Sequence, residues 1–214
     1  MNTSQKKFVH LYVFDKMVDW EASYAVGGIN DPMFQKNPNR YSVKTVGLSK
    51  DPVTTAGGIR ILPDLSLDEL DLSQSAMLIL PGGTSWDRGL NGEVIQKAQD
   101  FISHGIPVAA ICGATAGMAR AGLLDNVKHT SNALIYLQAT QYKGSSLYVE
   151  QPAVTDNLVI TAGGTASLEF AYNVFQKLDI YSADVLDAWY GLYKTGEEKY
   201  FYALMKCFEN TSES

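Results

Sequence analysis

Two short runs constrain this chain most. SAMLIL (75–80) ends in Pro81-Gly82-Gly83, and PVAAI (107–111) ends in Cys112-Gly113. A strand that is apolar at nearly every position is buried on both faces, as in parallel sheets covered by helices. FVHLYVF (8–14) reads as a first strand and residues 41–48 as a second. Residues 92–104 carry helical spacing (Val94, Ile95, Ala98, Phe101, Ile102) and stop at Gly105. Residues 166–178, 183–193 and 200–208 also have helical periodicity. Strands alternating with helices predict an α/β fold: a doubly wound, mostly parallel sheet with helices on both faces, flavodoxin-like in outline. Ligands of such sheets sit beyond the carboxyl ends of strands. Three glycine turns fall there: Gly82-Gly83, Cys112-Gly113 and Gly163-Gly164.

Local signals fill in the rest. Asp19 is expected to N-cap a helix that begins at Trp20-Glu21 and stops at Gly27-Gly28. VTTAGGIRILP (53–63) reads as a hairpin with Gly57-Gly58 as its two-residue turn. DLSLDELDLSQ (64–74) has capping and helix signals. A second hairpin is expected around Asp156-Asn157.

The 214 residues, 46% of them hydrophobic, suit one domain spanning 1–214. The chain has 17 Lys and Arg against 23 Asp and Glu, a net charge of −6. Lys6-Lys7 is the only Lys/Arg doublet and is expected to fray. No basic cluster marks a nucleic-acid partner. FVHLYVF is too short for a signal segment, and Gly, Pro and Arg120 interrupt the least polar stretch, so no membrane span is expected. Two cysteines make neither a disulfide framework nor a zinc site, and a reducing cytoplasm is the default.

Cys112 ends a strand and precedes a helix of small residues, the layout of a nucleophile elbow. Gly113, Ala114, Ala116 and Gly117 leave room for a crowded turn. The helix N-terminus favours a thiolate and predicts a depressed thiol pKa. A small buried core cysteine fits the same pattern.

At these residues the sequence resembles a family. AAICGATAGMARAGLL, the upstream LILPGG and the downstream VITAGG are similar to the ThiJ/PfpI superfamily (the DJ-one group), within the class I glutamine amidotransferase-like fold. The resemblance runs from the first strand to about Leu178, leaving 183–214 less family-like. It implies an α/β sandwich, commonly a homodimer, with Cys112 as the reactive cysteine. It implies Glu21 as a partner carboxyl. Chemically, apolar surroundings at Trp20 are expected to keep that carboxyl neutral, able to donate a hydrogen bond to a thiolate. It implies Gly83 and Gly113 amides facing the sulfur as an oxyanion hole.

The pattern also breaks. The peptidase-like branch has histidine directly after the cysteine, where this chain has Gly113. The deglycase-like branch ends a downstream Thr-Thr-His run in histidine, where this chain reads Thr130, Ser131, Asn132. His129 stands three places early and is the remaining base candidate. Trp86, with Asp87, is a candidate pocket wall, and Ser131 and Asn132 are candidate polar contacts. His10 reads as a half-buried strand residue and His104 as a helix C-terminal donor. Cys207 reads as a packed or idle thiol, and its neighbours Tyr200, Phe201, Tyr202 and Phe208 could also cover a dimer surface. The histidines show no metal spacing, and the glycine turns lack a nucleotide-binding context, so neither metal nor cofactor is expected.

Three functions follow. One is a cysteine enzyme on small electrophiles, glyoxalase- or deglycase-like. The second is a peptidase or amidase on short peptides, which needs His129 beside Cys112. The third is a non-enzymatic redox-sensing stress protein.

Overall fold

The apolar runs become the centre of one sheet. The computed structural model describes residues 6–212. Seven strands lie in the order β5-β2-β1-β6-β7-β9-β8. They are β1 (Lys7–Tyr12), β2 (Tyr41–Gly47), β5 (Leu65–Ser66), β6 (Ser75–Leu80), β7 (Val108–Ile111), β8 (Ala153–Asp156) and β9 (Val159–Ala162). All pair in parallel except β8, which runs antiparallel to β9. Met77 to Leu80 and all of β7 are fully buried, as two-sided coverage requires. Lys7 is the first residue of β1 and pairs with Tyr41, so the doublet is not a frayed end.

The covering helices are α1 (Ser23–Asn30), α2 (Gly92–Ser103), α3 (Gly113–Arg120), α4 (Leu134–Gln138), α5 (Ser167–Leu178), α6 (Ala183–Thr195) and α7 (Glu198–Ser212). α1 packs with α5, and α2 with α3. Right-handed crossovers in opposite directions from the centre put these pairs on opposite faces. The strand order reverses its sense of winding between the parallel neighbours β1 and β6, so a crevice opens at their carboxyl ends. α6 joins the core through Trp189, whose ring meets Phe175 edge-on at 5.0 Å. Side chains from residue 208 onward, Phe208 included, lie outside the described residues.

Three local expectations change. α1 starts at Ser23 and runs through Gly27-Gly28 to Asn30. Asp19 does not cap it; its Oδ2 accepts from Gly57 N–H at 2.7 Å and ties the hairpin to the crevice. The hairpin exists as β3 (Val53–Thr54) and β4 (Arg60–Ile61), but its loop is longer than two residues. Thr55 N–H closes it on Ile59 O, and Gly58 takes φ +86°. In 64–74 the caps form without α-helices. Ser66 and Glu69 make a capping box and Asp71 caps Ser73, each over one 3-10 turn.

Candidate functional site

Cys112 sits where β7 turns into α3, with φ 57° and ψ −123°. A non-glycine residue there is strained by about 1–3 kcal/mol. The strain lifts the side chain out of the sheet into a cleft of about 440 Å³. Glycine clears the space around it. A Cβ on Gly164 would lie 2.8 Å from the Cys112 sulfur, and one on Gly82 would lie 2.7 Å from Cys112 Cβ. These two turns need glycine for close approach. Below the turn, Thr115 Oγ1 donates to Cys112 O at 2.6 Å and lies 2.6 Å from Ser131 Oγ.

Glu21 precedes α1 in a turn and is 1% exposed. Its Oε2 accepts from Gly82 N–H at 2.5 Å, and its carboxyl hydrogen-bonds the Cys112 sulfur. Gly113 N–H also donates to that sulfur, and Asn132 Nδ2 donates from 3.4 Å. Asn132 Oδ1 accepts from Gly164 N–H at 2.8 Å, which locks the amide in place. Trp20 is 61% exposed, so it does not bury the carboxyl. The strand ends and the glycine turns do.

Burial pushes the Glu21 carboxyl up to about 7, against the Gly82 and Cys112 hydrogen bonds that favour its anion. Burial also pushes the Cys112 thiol up to about 11, and the neighbouring Glu21 charge adds to the rise. The depressed thiol expected from the helix N-terminus is therefore corrected. Asn132 and Gly113 stabilise a thiolate, but desolvation and a carboxylate outweigh them.

The other predicted residues divide. Gly83, Asp87 and Asn132 line the cleft with Cys112 and Gly113. Ser131 is buried one layer back, on Thr115. Trp86 does not wall the cleft. It is buried beneath α3, with Nε1 donating to Pro81 O at 2.8 Å. A Cβ on Gly117 would meet it at 2.5 Å, so the glycine exists for this ring. His129 does not join the site. Its Nδ1 pairs with Val127 O at 2.8 Å and its Nε2 with Tyr142 OH at 3.0 Å. Two tyrosine rings, Tyr142 and Tyr148, flank it. His10 is buried rather than half-buried, and its Nε2 pairs with Ser75 Oγ. His104 ends α2 as expected, with Nδ1 on Asp100 O.

Five lining residues escaped the sequence: Lys16, Val18, Ala56, Thr84 and Tyr136. Tyr136 donates to Asp87 Oδ1 at 2.6 Å across the cleft, and Lys16 lines the rim with φ 63°. Tyr136 belongs to α4, a five-residue helix too short to show periodicity. Lys16 carried no signal beyond following Asp15.

Among the described residues no three His, Cys, Asp or Glu side chains gather as a metal set. No helix among them is long and apolar enough to cross a membrane.

This geometry has known counterparts. A Bacillus subtilis (strain 168) relative named an uncharacterized protease, YoaZ, is 43% identical over 204 residues, covering 94% of this chain and 97% of that protein. A Caenorhabditis elegans protein named a glutathione-independent glyoxalase, DJR-1.2, is 28% identical, covering 62% and 71%. The crystal structure of a thiJ/pfpI family protein from Bacillus anthracis superposes with a TM-score of 0.88 at 44% identity, covering 95% and 97%. The sheet flanked by helices is thus the class I glutamine amidotransferase-like fold of these proteins. Residues 7–177 match the DJ-1/PfpI family, and the chain belongs to that family.

Proposed function

We propose that this chain is a cysteine enzyme acting on small carbonyl electrophiles, with Cys112 as nucleophile and Glu21 as its base. One observation carries the reading: the strained thiol is hydrogen-bonded to a buried carboxyl and to no histidine. A base titrating near neutrality is matched to proton transfer at physiological pH. Glu21, at about 7, meets that condition without help.

With a 2-oxoaldehyde, the sulfur bonds to the aldehyde carbon while Glu21 takes the thiol proton. The new alkoxide is stabilised by Gly113 N–H and, in this reading, Gly83 N–H. Moving the C1 proton to C2 through an enediol turns the hemithioacetal into a thioester. Water then releases a 2-hydroxy acid and restores the thiol. The oxidation at C1 balances the reduction at C2, so no external oxidant or cofactor is required. The DJR-1.2 name supports this chemistry. The family resemblance supports a homodimer, and the cysteine usage supports a reducing cytoplasm.

A second reading, peptide hydrolysis, rests on the name of the YoaZ relative. It requires a group to protonate a leaving amine. His129 has both nitrogens occupied elsewhere, so Glu21 must do both jobs. Incubation with methylglyoxal, followed by lactate detection, tests the first reading. Lactate above a Cys112→Ser control is expected, and none above it overturns the proposal. Casein cleavage that depends on Cys112, without lactate, favours the second.

A further inference from the structure

At the end of the sheet opposite Cys112 lies a second pocket, of about 520 Å³. It opens at the amino ends of β1, β2, β6 and β7. Lys7, Arg40 and Lys177 line it together with His104, and no aspartate or glutamate does. In a chain of net charge −6 this grouping runs against the overall balance. Asp179 stands near Arg40 but is paired with Lys36 at 2.8 Å.

Two of the basic groups have a local explanation. Lys177 and His104 lie at the carboxyl ends of α5 and α2, where donors meet orphan carbonyls. Lys177 Nζ donates to Asn157 O at 2.6 Å. Lys7 and Arg40 have no such helix end. They are brought side by side by the pairing of β1 with β2, where Lys7 N–H donates to Arg40 O. The wall is built as well. The β1–β6 register shifts at this end, Phe8 facing Ser75 and Val9 facing Met77, so Ala76 is an unpaired bulge in the lining. Such bulges re-aim backbone next to sites. Behind it, Ser75 Oγ donates to Asp71 O and is held by buried His10.

We propose that this pocket binds a small phosphate-bearing anion. Arg40 supplies a planar fork that matches phosphate oxygens, and Lys7 and Lys177 supply point charges. The cavity exceeds a bare phosphate, so a phosphate ester fills it better than the free ion.

The test is titration calorimetry on the full chain with three probes: inorganic phosphate, ribose 5-phosphate and AMP. Saturable binding is expected, weakening with added salt. The Arg40→Gln/Lys177→Gln variant should lose about tenfold or more in affinity, as removal of charged hydrogen bonds requires. Cys112→Ser should bind as the parent does. Ester binding tighter than phosphate identifies esters as the source, and equal binding identifies the free ion. No heat with any probe overturns the proposal, and so does unchanged affinity in the doubly substituted, folded variant. Lactate formation reports separately on the Cys112 cleft, so failure of one site is distinguishable from failure of the other.

Discussion

Glu21 and His129 invite comparison because burial does not separate them: they are 1% and 0% exposed. Both are titratable, and both were candidates to serve Cys112. The difference lies in where their hydrogen bonds go. Glu21 spends its oxygens on Gly82 N–H and the Cys112 sulfur. His129 spends its nitrogens on Val127 O and Tyr142 OH, away from the cleft. A buried polar group is a reagent only where its partner is a reacting atom. Elsewhere it is a satisfied part of the core.

The largest expected effect falls on Glu21. Glu21→Gln keeps the shape and removes the base, and kcat should fall about 10²–10⁴-fold. A fall below tenfold removes Glu21 from the chemistry. Stability should move the other way. With its folded pKa near 7 against an ordinary 4.5, Glu21 favours the protonated fold. Its contribution is full below pH 4.5 and is lost as pH rises to about 7, a swing of about 3 kcal/mol. His10, lowered to about 4 by burial and Lys44, does the reverse. Its contribution is full above pH 6.5 and is lost as pH falls towards 4. The two slopes oppose each other between pH 4.5 and 6.5. Denaturant midpoints of the parent should be nearly level there, while those of Glu21→Gln should rise with pH. Parallel profiles contradict the buried-carboxyl assignment.

His129→Ala gives the smallest effect on chemistry and a moderate one on the fold. Orphaning Val127 O and Tyr142 OH should cost about 1–3 kcal/mol. kcat/KM per folded molecule should hold. A loss of about 100-fold, typical of a missing base, reverses the comparison.

The legible parts of the molecule were those with strong local patterning. SAMLIL and PVAAI announce buried parallel strands, and the cysteine turn announces itself by the small residues after it. Family resemblance locates Glu21, but the source of its burial differs from the expected one. Trp20 points to solvent, and the carboxyl is enclosed by turns from β6 and β9, which are far away in sequence. Asp19 looked like a helix cap because capping residues and turn-tethering residues are the same types. The thiol shift departs from the helix-terminus expectation for a related reason. A helix N-terminus is visible in sequence, whereas desolvation and a carboxylate contributed from another element are not. Tyr136 and its bond to Asp87 depend wholly on tertiary placement.

The central claim is that Glu21 holds the charge and Cys112 holds the proton. The pH dependence of Cys112 alkylation by iodoacetamide, in a Cys207→Ser background, tests it directly. The account predicts slow alkylation at neutral pH, rising towards about pH 11. It predicts faster alkylation at pH 8 in Glu21→Gln, because the repelling carboxylate is gone. A parent rate already on its plateau at pH 7, slowed by Glu21→Gln, would place the charge on sulfur and contradict it.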